Sequence, residues 1–62
     1  SLSDYIRRRR IEHAMTLLTD SELSVDEIIA RTGYTDRSAF YHAFSKITGM
    51  APAEYRTSQK VK

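Results

Sequence analysis

Apolar residues recur at intervals of three and four positions along most of the chain, which is the spacing of one buried stripe on an amphipathic helix. The first such segment predicts a helix over residues 4–19, with Ser3 as its N-cap and Asp4 at the positive end of the helix dipole. Its stripe consists of Ile11, Ala14, Met15 and Leu18, with Ile6 and Leu17 on one flank. The pattern therefore predicts a long first helix that packs along one face.

A second, shorter helix is predicted to begin after Ser24. The letters SVDE place Ser24 at the N-cap and Glu27 three residues later, which is a capping box. Gly33 then accepts the left-handed conformation that commonly ends a helix. A helix of about eight residues is marginal in water by itself, so we expect neighbouring helices to hold it in place.

The third apolar segment predicts a helix that begins near Asp36 and ends at Gly49. Its inner face carries Phe40, Ala43, Phe44 and Ile47. Two short helices joined by a glycine-containing turn, here GYT at residues 33–35, form a helix-turn-helix. We expect this unit to span residues 25–48 and to be braced by the first helix.

The last predicted helix is short and covers residues 52–57, because Pro52 suits the first helical position. Ala51 precedes it, where a serine or threonine cap would contribute about 1 kcal/mol, so we expect this helix to fray. Residues 58–62 are predicted to be a flexible basic tail. The whole chain is thus predicted to be a small all-α domain of about four helices with one helix-turn-helix.

The polar face of the third helix carries the residues with candidate chemistry. In a helix-turn-helix this helix enters the major groove of DNA. Arginine can bind guanine in a bidentate way, and a serine hydroxyl can bond to several bases. We therefore predict base contacts from Arg37, Ser38 and His42, and phosphate contacts from Tyr41, Ser45, Lys46 and Arg56. For Arg56, a hydrogen bond inward to the third helix remains an open alternative.

The composition of the chain argues against several classes of function. The chain has 62 residues and no cysteine, so it can form one small domain, without disulfides or thiolate metal sites. His13 and His42 are far apart in the sequence and lack further metal ligands nearby, so no metal or other cofactor is expected. Ser38 and Ser45 lie near His42 without a third catalytic member or an oxyanion hole, which argues against an enzyme. No apolar run approaches the roughly 20 residues that span a bilayer, so no membrane association is expected.

The formal net charge is +2, but the charged residues are unevenly distributed along the chain. Residues 20–36 hold five acidic residues and one arginine, whereas segments 1–19 and 37–62 are net basic. This distribution indicates that one surface meets an anion and that another does not. It also leaves open an alternative function, in which the acidic segment 20–36 makes the chain a protein-interaction module.

Several motifs resemble those of the AraC/XylS-type bacterial transcription regulators. The matching letters are RI..A..LL from Arg10, S.DEI from Ser24, GY from Gly33 and P.EYR from Pro52. Between them, further residues fall at matching positions, namely Ser38, Phe40, Phe44, Lys46 and Gly49. The resemblance extends from Arg10 to Arg56 and so covers most of the chain.

This resemblance implies that residues 1–56 are the C-terminal half of a DNA-binding domain, with residues 4–19 as the helix that connects it to an upstream helix-turn-helix. It implies a cytoplasmic transcription regulator that binds double-stranded DNA in a sequence-specific way, with residues 36–48 as the recognition helix in the major groove. The upstream helix-turn-helix and an effector domain of the same chain would be its partners. Under the alternative, segment 20–36 contacts RNA polymerase or the regulator's own partner domain.

The chain departs from the family pattern in three places, one of them Ala51, where the family usually has a serine or threonine N-cap. Ile29 stands where the family usually has alanine, so its extra volume either separates the two helices or is absorbed by Ala39 and Ala43. Tyr41 and His42 occupy positions often held by serine and arginine. The base preference of the recognition helix therefore stays open.

Overall fold

The computed structural model describes residues 1–60, apart from the side chain of Lys60, and this part of the chain forms four α-helices. In chain order they are α1 (Leu2–Asp20), α2 (Val25–Thr32), α3 (Arg37–Thr48) and α4 (Pro52–Lys60). No strand occurs within residues 1–60. The prediction of an all-α domain with one helix-turn-helix is thus confirmed, with α2 and α3 as its two helices.

α1 begins two residues earlier than the sequence pattern predicted. Ser1, and not Ser3, is its N-cap, because the Ser1 hydroxyl accepts a hydrogen bond from the Asp4 amide at 3.3 Å. Ser3 is already helical. At the other end, the amide and the hydroxyl of Ser21 both donate to the Leu17 carbonyl, at 3.1 and 2.6 Å. These two bonds satisfy a carbonyl that has no partner within the helix.

α2 is capped by one half of the predicted capping box. The Ser24 hydroxyl accepts from the Glu27 amide at 3.1 Å. The Glu27 carboxylate does not return to Ser24 but pairs with Arg31, one turn further along α2, at 3.5 Å. Gly33 ends the helix with a φ of +94°, a left-handed conformation that favours glycine. The helix is therefore stopped as predicted, while Glu27 is used differently.

The core lies where α1, α2 and α3 meet. Its fully or almost fully buried apolar side chains are Ile11, Ala14, Leu18, Ile28, Ile29, Phe40, Ala43 and Phe44. Aromatic rings extend this cluster, since Tyr34 packs edge-on against Phe40 at 5.6 Å and Tyr55 does the same against Phe44. Ile29 and Ala43 are both buried members of this cluster. Ile29, where the family usually has alanine, is therefore part of the core.

Arg10 braces the turn between α2 and α3 from the side of α1. Its guanidinium lies 5.9 Å from the centroid of the Tyr34 ring, within the range of a cation–π contact. The same guanidinium covers Gly33, because a Cβ built on that glycine would lie 3.6 Å from Arg10 Nε. The turn that sets the angle of the helix-turn-helix is therefore held against the long helix.

α4 continues to Lys60, three residues beyond the predicted end. The expected tail is therefore helical over residues 58–60, and its remainder, residues 61–62, lies outside the described residues. Side-chain hydroxyls support the extension, since Ser58 donates to the Tyr55 carbonyl at 2.8 Å. At its start, Glu54 accepts from the Ala51 amide at 3.3 Å. That bond supplies one half of a capping box that Ala51 cannot complete.

Candidate DNA-binding surface

α3 presents a polar face because its apolar face is committed to the core. Asp36 caps the helix by accepting from the Ser38 amide at 3.0 Å, and Gly49 ends it with a φ of +81°. Phe40 and Phe44 are fully buried, which fixes the rotation of the helix about its axis. The opposite face then points away from α1 and α2.

Ser38, His42 and Ser45 lie on this exposed face of α3. Within the described part of the chain, their side chains make no hydrogen bond, ion pair or ring contact. Ser38 and His42 are four residues apart, so they are neighbours on the helix surface. The structure therefore brings these three predicted contact residues together, with their polar atoms free to meet an external partner.

Arg37, the first residue of α3, is held by two other side chains. Its guanidinium forms an ion pair with Asp26, in the first turn of α2. It also stacks over the Tyr41 ring at 5.2 Å and donates to the Tyr41 hydroxyl at 3.4 Å. The side chains remain accessible, with 61% of Arg37 and 72% of Asp26 exposed. The sequence pattern did not predict this pairing of Asp26 with Arg37.

Tyr41 links the core to this guanidinium. One side of its ring packs edge-on against Phe40, with the centroids 6.0 Å apart. The ring is half-buried, and its hydroxyl reaches Arg37. Tyr41 was predicted to contact phosphate, and its observed contacts make it a platform beneath Arg37.

Lys46 lies in the last turn of α3 and borders a groove between α3 and α1. Arg7 and Arg8 line the same groove. Both arginines carry carboxylate partners, at 2.8 Å to Asp4 and at 3.3 Å to Glu12. Within residues 1–60, apart from the side chain of residue 60, Lys46 has no ion pair. Its ammonium is therefore the least neutralised charge in this groove.

Arg56 points into the protein and not toward the surface of α3. Its Nε donates to the Leu18 carbonyl at 3.0 Å, and its Nη2 donates to the carbonyls of Ser21 and Leu23 at 3.2 and 2.7 Å. These carbonyls belong to the end of α1 and the loop after it, where backbone oxygens lack helical partners and carry partial negative charge. The phosphate contact predicted for Arg56 is corrected accordingly. Arg56 does bond inward, as the alternative held. Its partners are at the end of α1 and in the loop after it, and not on α3 as expected.

The described residues offer little for other chemistries. No three of their histidine, aspartate and glutamate side chains are grouped in a way that could hold a metal ion. None of the described helices combines the length and the apolar character that a membrane crossing requires. The acidic segment 20–36 is largely engaged within the chain, through Asp26 with Arg37, Glu27 with Arg31, and Asp36 at the cap of α3.

Comparison with known proteins agrees with this geometry. The family model described as "Helix-turn-helix domain" matches residues 1–58. The chain is 38% identical over 56 residues to the melibiose operon regulatory protein of Escherichia coli (strain K12). It is 41% identical over 56 residues to the HTH-type transcriptional activator RhaR of Yersinia pseudotuberculosis serotype O:1b (strain IP 31758).

Both matches cover 90% of this chain, but only 18% and 19% of the relatives, so the chain spans less than a fifth of their length. No solved structure gives a significant match. The relatives are transcription regulators, in agreement with the prediction that the chain is not an enzyme. With the family model spanning nearly the whole chain, this protein belongs to the helix-turn-helix domain family of the AraC/XylS-type transcription regulators.

Proposed function

We propose that the chain is a sequence-specific DNA-binding element of a bacterial, cytoplasmic transcription regulator, and that α3 reads bases from the major groove. The observation that carries this proposal is the exposed polar face of α3, where Ser38 and His42 have no partner within residues 1–60. The major groove, about 12 Å wide, admits an α-helix. The buried rings of Phe40 and Phe44 keep this face turned outward.

Each residue of the face has a chemical role. Arg37 can donate two hydrogen bonds to the N7 and O6 atoms of guanine. Ser38, in the same turn of α3, and His42, one turn further along, bond to other base edges. Ser45 and Lys46, toward the end of α3, contact phosphates, and the Tyr41 hydroxyl adds a further phosphate donor. Such phosphate contacts supply affinity without sequence information. Arg56 has no part in this scheme, because its guanidinium is bound to backbone carbonyls.

Binding by the chain alone is expected to be weak and dependent on salt. A single small module buries about 600–1,000 Å² on DNA, and non-specific binding has a Kd of about 10⁻⁴–10⁻⁶ M at physiological salt. Fluorescence anisotropy with a labelled duplex at several salt concentrations would measure the Kd and its dependence on salt. An affinity that does not change with salt would contradict the proposal.

Lys46→Gln tests the orientation of α3 on DNA. Loss of one phosphate contact should weaken binding to all duplexes alike and reduce the slope of log K against log salt by about 0.9. Arg9→Gln is the matched control, since it removes the same charge from a different groove, lined by Glu12, His13 and Thr16. Equal effects of the two substitutions would show that net charge, and not this surface, governs binding.

A protein-interaction role for segment 20–36 has less support. Three of its carboxylates already serve partners within the chain, Asp26 with Arg37, Glu27 with Arg31, and Asp36 with the start of α3. A contact with RNA polymerase or with another domain of the regulator would have to compete with these pairs. An NMR titration with duplex DNA separates the two functions, because shifts at Ser38 and His42 support DNA reading and shifts confined to α2 oppose it.

A further inference from the structure

The ion pair between Asp26 and Arg37 joins the starts of the two helices of the helix-turn-helix. Asp26 is the second residue of α2 and Arg37 is the first residue of α3. Tyr41 holds the same guanidinium from below, by stacking and through its hydroxyl. The proposed base-reading arginine is therefore oriented by two side chains before any DNA is bound.

Stability does not explain this arrangement, because exposed ion pairs contribute little to folding. Both side chains are more than half exposed. The pair also places a negative charge beside a residue that is proposed to approach DNA, a polyanion. The Asp26 carboxylate therefore needs another explanation, and the effect that it has on Arg37 provides one.

A carboxylate changes which partner Arg37 prefers. A guanidinium has five N–H donors, so one ion pair leaves donors free for another acceptor. A phosphate is a second anion, and Asp26 repels it while also reducing the net charge that attracts it. The N7 and O6 atoms of guanine belong to a neutral base, so Asp26 penalises a guanine contact far less.

We propose that Asp26 is a specificity-determining residue that acts through Arg37, disfavouring phosphate and favouring the neutral edge of guanine. This inference rests on the proposed function, in which α3 enters the major groove. It extends the reading surface to a residue of α2 that touches no base itself.

The test compares Asp26→Asn with the unchanged chain on two duplexes. One duplex is the sequence that the chain enriches from a randomised pool, and the other is a scrambled version of it. The substitution should raise the affinity for the scrambled duplex about two- to fivefold, because repulsion of phosphate is lost. The ratio of the two affinities should fall about fivefold or more, which corresponds to the low end of the discrimination of one bidentate contact.

Glu27→Gln is the matched control. It removes the same charge from the next residue of the same helical turn, but its carboxylate pairs with Arg31 and not with Arg37. It should leave the affinity ratio unchanged, while Asp26→Glu, which keeps the charge, should retain most of the ratio. Far-ultraviolet circular dichroism checks that each variant is folded.

A double variant shows whether Asp26 acts through Arg37. In the Arg37→Ala background, Asp26→Asn should have no further effect on the affinity ratio. An unchanged ratio in the single Asp26→Asn variant, or an equal change with and without Arg37, would overturn the inference.

The same variants and duplexes distinguish a failure of this inference from a failure of the proposed function. If Arg37→Ala lowers the ratio and Asp26→Asn does not, α3 reads DNA but Asp26 has no part in specificity. If the chain enriches no sequence, or if Arg37→Ala, Ser38→Ala and His42→Ala all leave the ratio unchanged, both the proposed function and the role of Asp26 are wrong.

Discussion

Two arginines, Arg56 and Arg37, show how different regions of this small domain use the same side chain. Arg56 lies on α4 and is half-buried, with hydrogen bonds to three backbone carbonyls at the end of α1 and in the loop that follows. Arg37 lies at the start of α3, is 61% exposed, and pairs with the single carboxylate of Asp26. Both residues were predicted to contact DNA. Arg56 is instead bonded to the backbone, whereas the contact of Arg37 with DNA remains a proposal.

The difference lies in the partners. Carbonyl oxygens at a helix end are fixed by the backbone and would lose their hydrogen bonds if the arginine left. An exposed carboxylate is hydrated when its partner moves away, so the ion pair can open at little cost. The Arg56 site therefore joins α4 to α1, whereas the Arg37 site can exchange one partner for another.

Replacing Arg56 should have the largest effect on stability. Arg56→Met keeps much of the aliphatic stem but removes three charge-assisted hydrogen bonds, and we expect it to lower the free energy of unfolding by about 2–3 kcal/mol. That is a large share of the roughly 3–9 kcal/mol typical of a domain of this size. Urea denaturation followed by circular dichroism measures the loss.

Arg56→Lys separates charge from geometry at this site. An ammonium cannot reproduce the fork of donors that reaches three carbonyls, so the lysine variant should recover less than half of the lost stability. Full recovery would mean that charge alone holds α4 against α1. DNA affinity per folded molecule should be nearly unchanged in both variants, and a large loss would contradict the inward role.

Replacing Arg37 should have the opposite result, with little effect on stability and a clear effect on DNA discrimination. Arg37→Ala should change the free energy of unfolding by no more than about 0.5 kcal/mol, as is usual for an exposed site. It should reduce discrimination between the enriched and the scrambled duplex by about 1–3 kcal/mol. Urea denaturation and anisotropy titrations on the same preparation measure the two quantities, and a variant that loses stability but keeps discrimination would reverse the assignment.

The smallest expected effect comes from the start of the helix that carries Arg56. Ala51→Ser adds a hydroxyl that can accept from an amide of the first turn, opposite the bond that Glu54 already makes to the Ala51 amide. It should raise the free energy of unfolding by about 1 kcal/mol and leave DNA binding unchanged. An equal gain from Ala51→Gly would show that the hydroxyl is not the cause.

Local sequence was enough to predict that four helices form, where α2 and α3 begin and end, and the direction in which α3 faces. Gly33 and Gly49 end their helices in the left-handed conformation, and Ser24 and Asp36 cap the starts. These features involve residues within a few positions of one another, so their geometry is set by the backbone of one turn. The three-and-four spacing of apolar residues likewise predicted that Phe40 and Phe44 are buried and that Ser38 and His42 are exposed.

Only the tertiary structure decided which charged residues find partners. Arg56 reaches carbonyls 33 to 38 positions away, and Asp26 meets Arg37 across a turn whose angle depends on Tyr34, Arg10 and the core. Arginine and aspartate have long or exposed side chains with several possible partners, and their sequence neighbours do not select among them. The choice is made by how four helices pack, because packing determines which carbonyl or carboxylate comes within hydrogen-bond distance.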